Sequence, residues 1–303
     1  MSGSGDVYSR RRWTWPAFAA PGLLWLILLF LIPFYAILAV AMGRLDPIFN
    51  LGQPVWNPME WDPGLFGEVV NDIFTGQLGV ILVRTVMYVA IASLLSLLIG
   101  YPVAYFVARH AVKRKILYLV LILTPFWIPY LMRMLAWRNL LEGSGYVNDV
   151  LTLLGVLAEP RDWLGGRSET VVMGLVYGYI PFLILPLFAA LDRIDQSTIQ
   201  AARDLGASPF RAFLHVTLPL SKQGILAGLV IIMLPMFGDY YTNNLMSQSP
   251  RTRMIGNEID FFVNSNTGEP RGATITVILM GVVGLLMVYY LVSVARATKE
   301  TQT

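Results

Sequence analysis

The chain contains no cysteine. Disulfides, thiol catalysis and thiolate metal sites are excluded together. Its two histidines, His110 and His215, stand in separate polar connectors, too few and too scattered for a metal site, and none is expected. Nowhere does Gly-x-x-x-x-Gly-Lys-Ser/Thr occur, so the backbone cradle that holds ATP phosphates is missing and any ATP-driven work falls to a partner. No nucleophile stands beside a base, so no catalytic residue is expected and an enzyme is disfavoured. Charge is also scarce: 14% of the 303 residues are charged and 56% are hydrophobic, far too apolar for a soluble globular domain. Neither a solenoid period nor a low-complexity tract interrupts the pattern.

What is present is a series of six apolar runs of about 20 residues, each long enough to cross a hydrocarbon core of about 30 Å. The first, 17–42, follows Arg10-Arg11-Arg12 and the interfacial Trp13 and Trp15. It is about twice the length of a signal-peptide apolar core, so it reads as a span. The others are expected near 80–107, 116–137, 170–191, 224–245 and 273–294. Basic residues cluster before the first span, between the second and third (Arg109, Lys113, Arg114, Lys115) and after the sixth (Arg296, Lys299). By the positive-inside rule both termini face the cytoplasm. The net charge of +3 and pI near 9.1 therefore speak to topology, and nucleic acid is not an expected partner. The expected fold is an all-α polytopic membrane protein with six transmembrane helices: a cytoplasmic segment 1–16, a permease domain 17–294 and a cytoplasmic tail 295–303. An acidic external loop, 43–78, carries Trp-Asn-Pro and Trp-Asp-Pro turns and one short helix near 65–74. Pro102 is expected to bend the inner end of the second span, and Gly174-x-x-x-Gly178 and Gly224-x-x-x-Gly228 are small-residue pairs that let helices approach closely.

The loop between the fourth and fifth spans, 192–223, is too patterned for a connector. Ala201, Ala202, Leu205 and Gly206 fall at i, i+1, i+4 and i+5, one narrow face of small residues on a helix, suited to docking. Two alanines, a glycine four residues after the second and Leu218-Pro219 further on resemble the cytoplasmic "EAA" loop of the permease subunits of binding-protein-dependent ABC importers. Gln200 stands where that family usually has Glu, and Asp204 is the nearby acid. The resemblance continues through Gly100-Tyr101-Pro102, Thr124-Pro125-Phe126-Trp127, Gly145-Tyr146-Val147-Asn148, Gly174-Leu175-Val176-Tyr177, Met233-Leu234-Pro235 and Ile255-Gly256-Asn257-Glu258-Ile259. Together these stretches look like the spermidine/putrescine, PotB-type, branch of the family. The resemblance implies a multi-pass permease in a bacterial inner membrane. Its coupling helix would comprise Gln200, Ala201, Ala202, Asp204, Leu205, Gly206 and Ala207. Implied partners are a second homologous permease subunit, two ATPase subunits that bind ATP and Mg, and an external solute-binding protein. This chain would bind no cofactor itself.

The residues offer one substrate candidate. Pro235 and Gly238 loosen the fifth span, and non-helical backbone at membrane depth survives only where protein or water satisfies it. Asp239 follows, about 22 Å of helical rise beyond Gly224, and an acid at that depth is a functional-site hypothesis. With Tyr240, Tyr241, Trp127 and Tyr130 it would suit an ammonium group, one carboxylate among aromatic faces. Equally reachable is a structural ion pair between Asp239 and Arg133. Tyr177 and Tyr179 are expected to pack in the core or at the interface. Two other classes fit the composition: an importer for another small organic solute or cation, and an ATP-independent secondary transporter. The latter leaves the central loop unexplained and would more often carry inverted repeats.

Overall fold

The computed structural model describes residues 18–46, 52–111, 113–265 and 269–300, with the backbone alone at 45, 269 and 294–300. The expected cytoplasmic segment 1–16, with Arg10 to Arg12, Trp13 and Trp15, lies outside the described residues, as do 301–303 of the tail and the side chains of Arg296 and Lys299. The chain divides into two compact units, Met1–Asn71 with Phe261–Met280, and Asp72–Asp260 with Gly281–Thr303.

In the first unit, helix α1 (Phe18–Ala41) is apolar on every face, as a membrane span should be. Its hydrogen-bond ladder widens to i→i+5 over Ile27–Leu31, just ahead of Pro33, whose ring cannot continue the regular ladder. The chain then turns through a two-stranded hairpin, β1 (Arg44–Leu45) against β2 (Gly52–Gln53), with Arg44 opposite Gln53. Tyr35 packs on Trp56 and Trp61 at ring separations of 6.2 and 6.1 Å, and Val55 N donates to Ala39 O at 3.0 Å. Asn57 caps a short 3-10 turn at Pro58–Glu60, so the Trp-Asn-Pro turn orders the loop as its sequence predicts. Helix α2 (Gly64–Thr75) follows.

The second unit is built on α3 (Gln77–Arg109) and α7 (Ser168–Asp192), which pack along most of their lengths, with α10 (Lys222–Phe237) against both. The inward residues of α3, Tyr88, Val89, Ala92, Ser96, Gly100 and Ala104, recur at helical spacing, and Val171, Leu175, Leu183 and Leu187 are buried on α7; a Cβ at Gly100 would meet Leu183 Cδ2 at 3.5 Å. Helix α3 runs unbroken through Pro102. Gly228 lies so close to α7 that a Cβ there would meet Leu183 Cδ1 at 2.6 Å, the small-residue contact its motif predicts.

Two expected spans are broken. The third comprises α4 (Lys115–Leu123), a 3-10 turn (Thr124–Trp127) and α5 (Tyr130–Leu141), bent by 82°, because Pro125 and Pro129 interrupt the ladder. The fifth ends at Phe237 and resumes as α11 (Tyr241–Met246) after Gly238, Asp239 and Tyr240. Ahead of it, α9 (Pro209–Leu220) meets α10 at 60°. Among the described residues four helices are long and apolar enough to span a membrane, and up to six spans result if each bent pair counts as one. The remaining elements are α6 (Tyr146–Leu153), α8 (Gln196–Asp204), α12 (Ile255–Val263) and α13 (Glu269–Glu300).

Candidate functional site

Asp239 sits in the break between α10 and α11, only 5% exposed. Its carboxylate accepts four hydrogen bonds from three helices. Tyr130 of α5 donates its hydroxyl proton to Oδ2 at 2.6 Å and Tyr179 of α7 does so at 3.1 Å. Thr242 of α11 donates its hydroxyl to Oδ2 at 2.6 Å and its backbone N–H to Oδ1 at 3.0 Å. All four donors are neutral, and among the described residues no cationic side chain bonds the carboxylate. The geometry depends on Gly174 and Gly178. A Cβ at Gly178 would meet the Tyr130 ring at 2.6 Å, and one at Gly174 would meet Thr242 Cγ2 at 2.6 Å. The Gly174-x-x-x-Gly178 pair therefore admits two site side chains, not a neighbouring helix backbone.

Arg133 does not pair with Asp239, and the structural ion pair considered from the sequence is absent. Arg133 is 7% exposed and turns the other way. Its guanidinium stacks over Phe126 at 4.2 Å, with the Tyr130 and Tyr177 rings at 5.5 and 5.8 Å. Nε donates to Ile128 O at 3.2 Å, and Nη1 has no hydrogen-bond partner among the described residues. The 82° bend is the physical reason: it carries Ile128 and Phe126 back over α5, where they capture the guanidinium and leave Tyr130 between the two charges.

Of the expected aromatic wall, only Tyr130 contacts the carboxylate. Trp127 is largely exposed, and Tyr240 and Tyr241 stack on each other at 4.1 Å. Tyr179, expected as packing, is a ligand of Asp239. Thr242 is not among the residues expected from the sequence, although Asp-x-x-Thr is the spacing at which a carboxylate reaches the N–H groups opening a helix. The Ile255-Gly256-Asn257 stretch braces the break. Asn257 Nδ2 donates to Tyr240 O at 3.0 Å and to Asn244 Oδ1 at 2.9 Å, and a Cβ at Gly256 would meet Gly238 O at 2.6 Å. Asn148 ties together the loop beyond α5: Nδ2 donates to Glu142 O, Gly143 O and Arg161 O, while Oδ1 accepts from Arg161 N and Trp163 Nε1.

The central loop forms a second candidate site. Asp195 caps α8 by accepting from Ser197 N at 3.0 Å, and that N–H holds its carboxyl below the usual carboxylate range. Helix α8 ends at Asp204, so Leu205 and Gly206 do not extend the small-residue face expected from their spacing. Gly206 takes φ +89°, a left-handed conformation that glycine adopts without steric cost, and its N–H bonds to Arg203 O at 2.9 Å. That reversal projects Leu205 outward, 90% exposed. Gly206 and Ala207 stand between two recesses, one lined by Gln200, Arg203 and Asp204, the other by Ala202, Leu205 and Arg211.

Residues 96–297 match the family of binding-protein-dependent transport system inner membrane components. The spermidine/putrescine transport system permease protein PotB of Escherichia coli is 35% identical over 210 residues, 69% of this chain and 76% of that protein. Its counterpart in Haemophilus influenzae is 33% identical over 269 residues, 88% of this chain and 89% of that one. Among solved structures, a chain of a bacterial alginate ABC transporter, in complex with its alginate-bound periplasmic protein, superposes with a TM-score of 0.73 at 15% identity over 96% of both chains. A chain of the MetNI methionine ABC transporter gives 0.52 at 18% identity, over 76% of this chain and 95% of that one. The chain thus belongs to the binding-protein-dependent transport family, as a multi-pass inner-membrane permease component, with ATP hydrolysis left to a separate subunit.

Proposed function

We propose that this member of the binding-protein-dependent transport family is one permease half of an ATP-driven importer for polyamines. The observation that carries the substrate class is Asp239: a buried carboxylate with no cation bonded to it among the described residues, held by three hydroxyls and a backbone N–H. An ammonium entering from α11 would find one compensating charge and the stacked Tyr240 and Tyr241 beside it. The likeness to permeases of spermidine/putrescine systems supports the same class.

In this reading the permease domain covers 17–294, each bent pair serves as one span, and both termini lie in the cytoplasm. The loop 192–223 is the coupling segment, with Leu205 and the recesses beside Gly206 meeting one of two ATPase subunits, which bind ATP and Mg. Gln200, Ala201, Ala202, Asp204 and Ala207 complete that contact. A second homologous permease chain closes the pathway, and an external binding protein delivers substrate. Because α10 runs from the loop toward Asp239, force applied at Leu205 would reach the break at Gly238 and expose the carboxylate.

The test is ATP-dependent uptake of labelled spermidine and putrescine into vesicles holding the complete complex, with wild type beside Asp239→Asn. Polyamine entry that the variant loses, in a complex that still assembles, supports the reading. Entry of another solute in place of polyamines overturns the substrate class and leaves the importer assignment standing.

A further inference from the structure

A recess of about 710 Å³ lies beside the start of α3, away from Asp239. Arg84 and Arg251 line it together with Val80, Val83, Met87 and Ser168. The two guanidiniums make the polar end. Neither forms an ion pair among the described residues, and Arg84 Nη1 only reaches Arg253 O at 3.3 Å. Arg253 itself faces Glu258 at 3.4 Å. Asp72 approaches from the Gly76 side, so two basic groups stand against one acid, and the charge complements a monoanion.

The other end is an exposed apolar wall. Val80, Val83 and Met87 are each more than half exposed, and at i, i+3 and i+7 they form one stripe that Leu94 and Leu98 continue. Depth follows from the helix itself. Arg84 precedes Arg109, at the inner end of α3, by twenty-five positions, or about 37 Å of rise. A bilayer is about 30 Å across its hydrocarbon and about 40–45 Å with headgroups, so the two arginines fall at opposite headgroup levels.

We infer that this recess binds the phosphodiester of a phospholipid, with Arg84 and Arg251 on the phosphate and the acyl chains along Val80, Val83 and Met87. Arg presents planar donors that match phosphate oxygens, and its stem covers apolar surface while the head stays at the boundary. Its place in the outer leaflet rests on the orientation proposed above, whereas the site itself does not depend on substrate or coupling.

The experiment uses the complete complex in lipid nanodiscs of phosphatidylcholine and phosphatidylglycerol, with a trace of phosphatidylglycerol carrying a photoreactive acyl chain. Labelling of the 77–90 segment is measured relative to the exposed stretch around Leu285 and Val288. Arg84→Gln with Arg251→Gln should lower that ratio at least fivefold, and Arg84→Lys with Arg251→Lys should restore much of it. An equal ratio in wild type and the Gln variant would mean unspecific annular lipid and overturn the inference. So would an unlabelled segment in wild type, which indicates coverage by the second permease chain, or loss of label on adding inorganic phosphate, which indicates a free-anion site. If the Gln variant does not assemble, wild type in phosphatidylcholine alone, carrying a photoreactive sugar lipid without phosphate as probe, decides: labelling of 77–90 undiminished overturns the site, and a fivefold fall supports it.

Discussion

The Tyr130 hydroxyl lies 2.6 Å from Asp239 Oδ2, while the face of the same ring lies 5.5 Å from the Arg133 guanidinium. One aromatic side chain thus separates two buried ionisable groups. It joins α5 to the break between α10 and α11 through residues more than a hundred positions apart, so the site exists only when α5, α7 and α11 are docked together.

Tyr130→Phe removes a hydrogen bond to a buried carboxylate and should destabilise the complex by about 1.5–3 kcal/mol. Thermal unfolding of the purified complex measures this, and polyamine uptake should fall with it. An unchanged midpoint would show that Tyr179 and Thr242 suffice.

Arg133→Lys should not behave as a conservative change. Lysine keeps the charge but loses the planar stack on Phe126, so a loss of about 1–2 kcal/mol is expected. A lysine variant as stable as wild type would mean that the charge alone matters.

Asn148 is buried and satisfies five backbone or side-chain groups. Asn148→Ala leaves several of them unpaired and should cost about 2–3 kcal/mol. Faster proteolysis between 142 and 163 reports it; a wild-type digestion pattern would contradict the loop's dependence on this side chain.

Gly206→Ala places a Cβ in a left-handed conformation at a cost of about 1 kcal/mol, with open space around it. Its effect should therefore be modest, whereas Leu205→Asp puts a charge on the exposed docking side chain and should abolish uptake without preventing membrane insertion. Full uptake by Leu205→Asp would remove Leu205 from the coupling contact.

Asp195 supplies the pH-dependent cap. Its folded pKa is depressed by the Ser197 N–H, so the stabilisation is complete above the unfolded value of about 3.9 and disappears as pH falls through the folded value. Hydrogen exchange at the start of α8 should accelerate below that range in wild type. Asp195→Asn should show a flatter profile, and parallel profiles would assign the protection to another group.

Hydropathy and turn chemistry are local properties, and so the long apolar helices and the ordered turn after Asn57 were legible residue by residue. Helix-breaking is local too, and Pro125, Pro129 and Pro235 mark the breaks, although an 82° bend could not be read from them. Partner choice is not local. Whether Asp239 meets Arg133 or Tyr179 depends on the direction α5 takes after Pro129, on the room left by Gly174 and Gly178, and on the bracing of Gly238 by Asn257. Likewise, the spacing of Ala201, Ala202, Leu205 and Gly206 placed all four on one helix face, but a left-handed residue at Gly206 ends the helix and turns Leu205 outward. The sequence by itself determined a chain that must lie in a membrane, because burying apolar side chains in lipid needs no partner within the chain. Only the tertiary structure decided which polar groups satisfy the buried carboxylate, because hydrogen bonds act over about 3 Å and those distances exist only after the helices have packed.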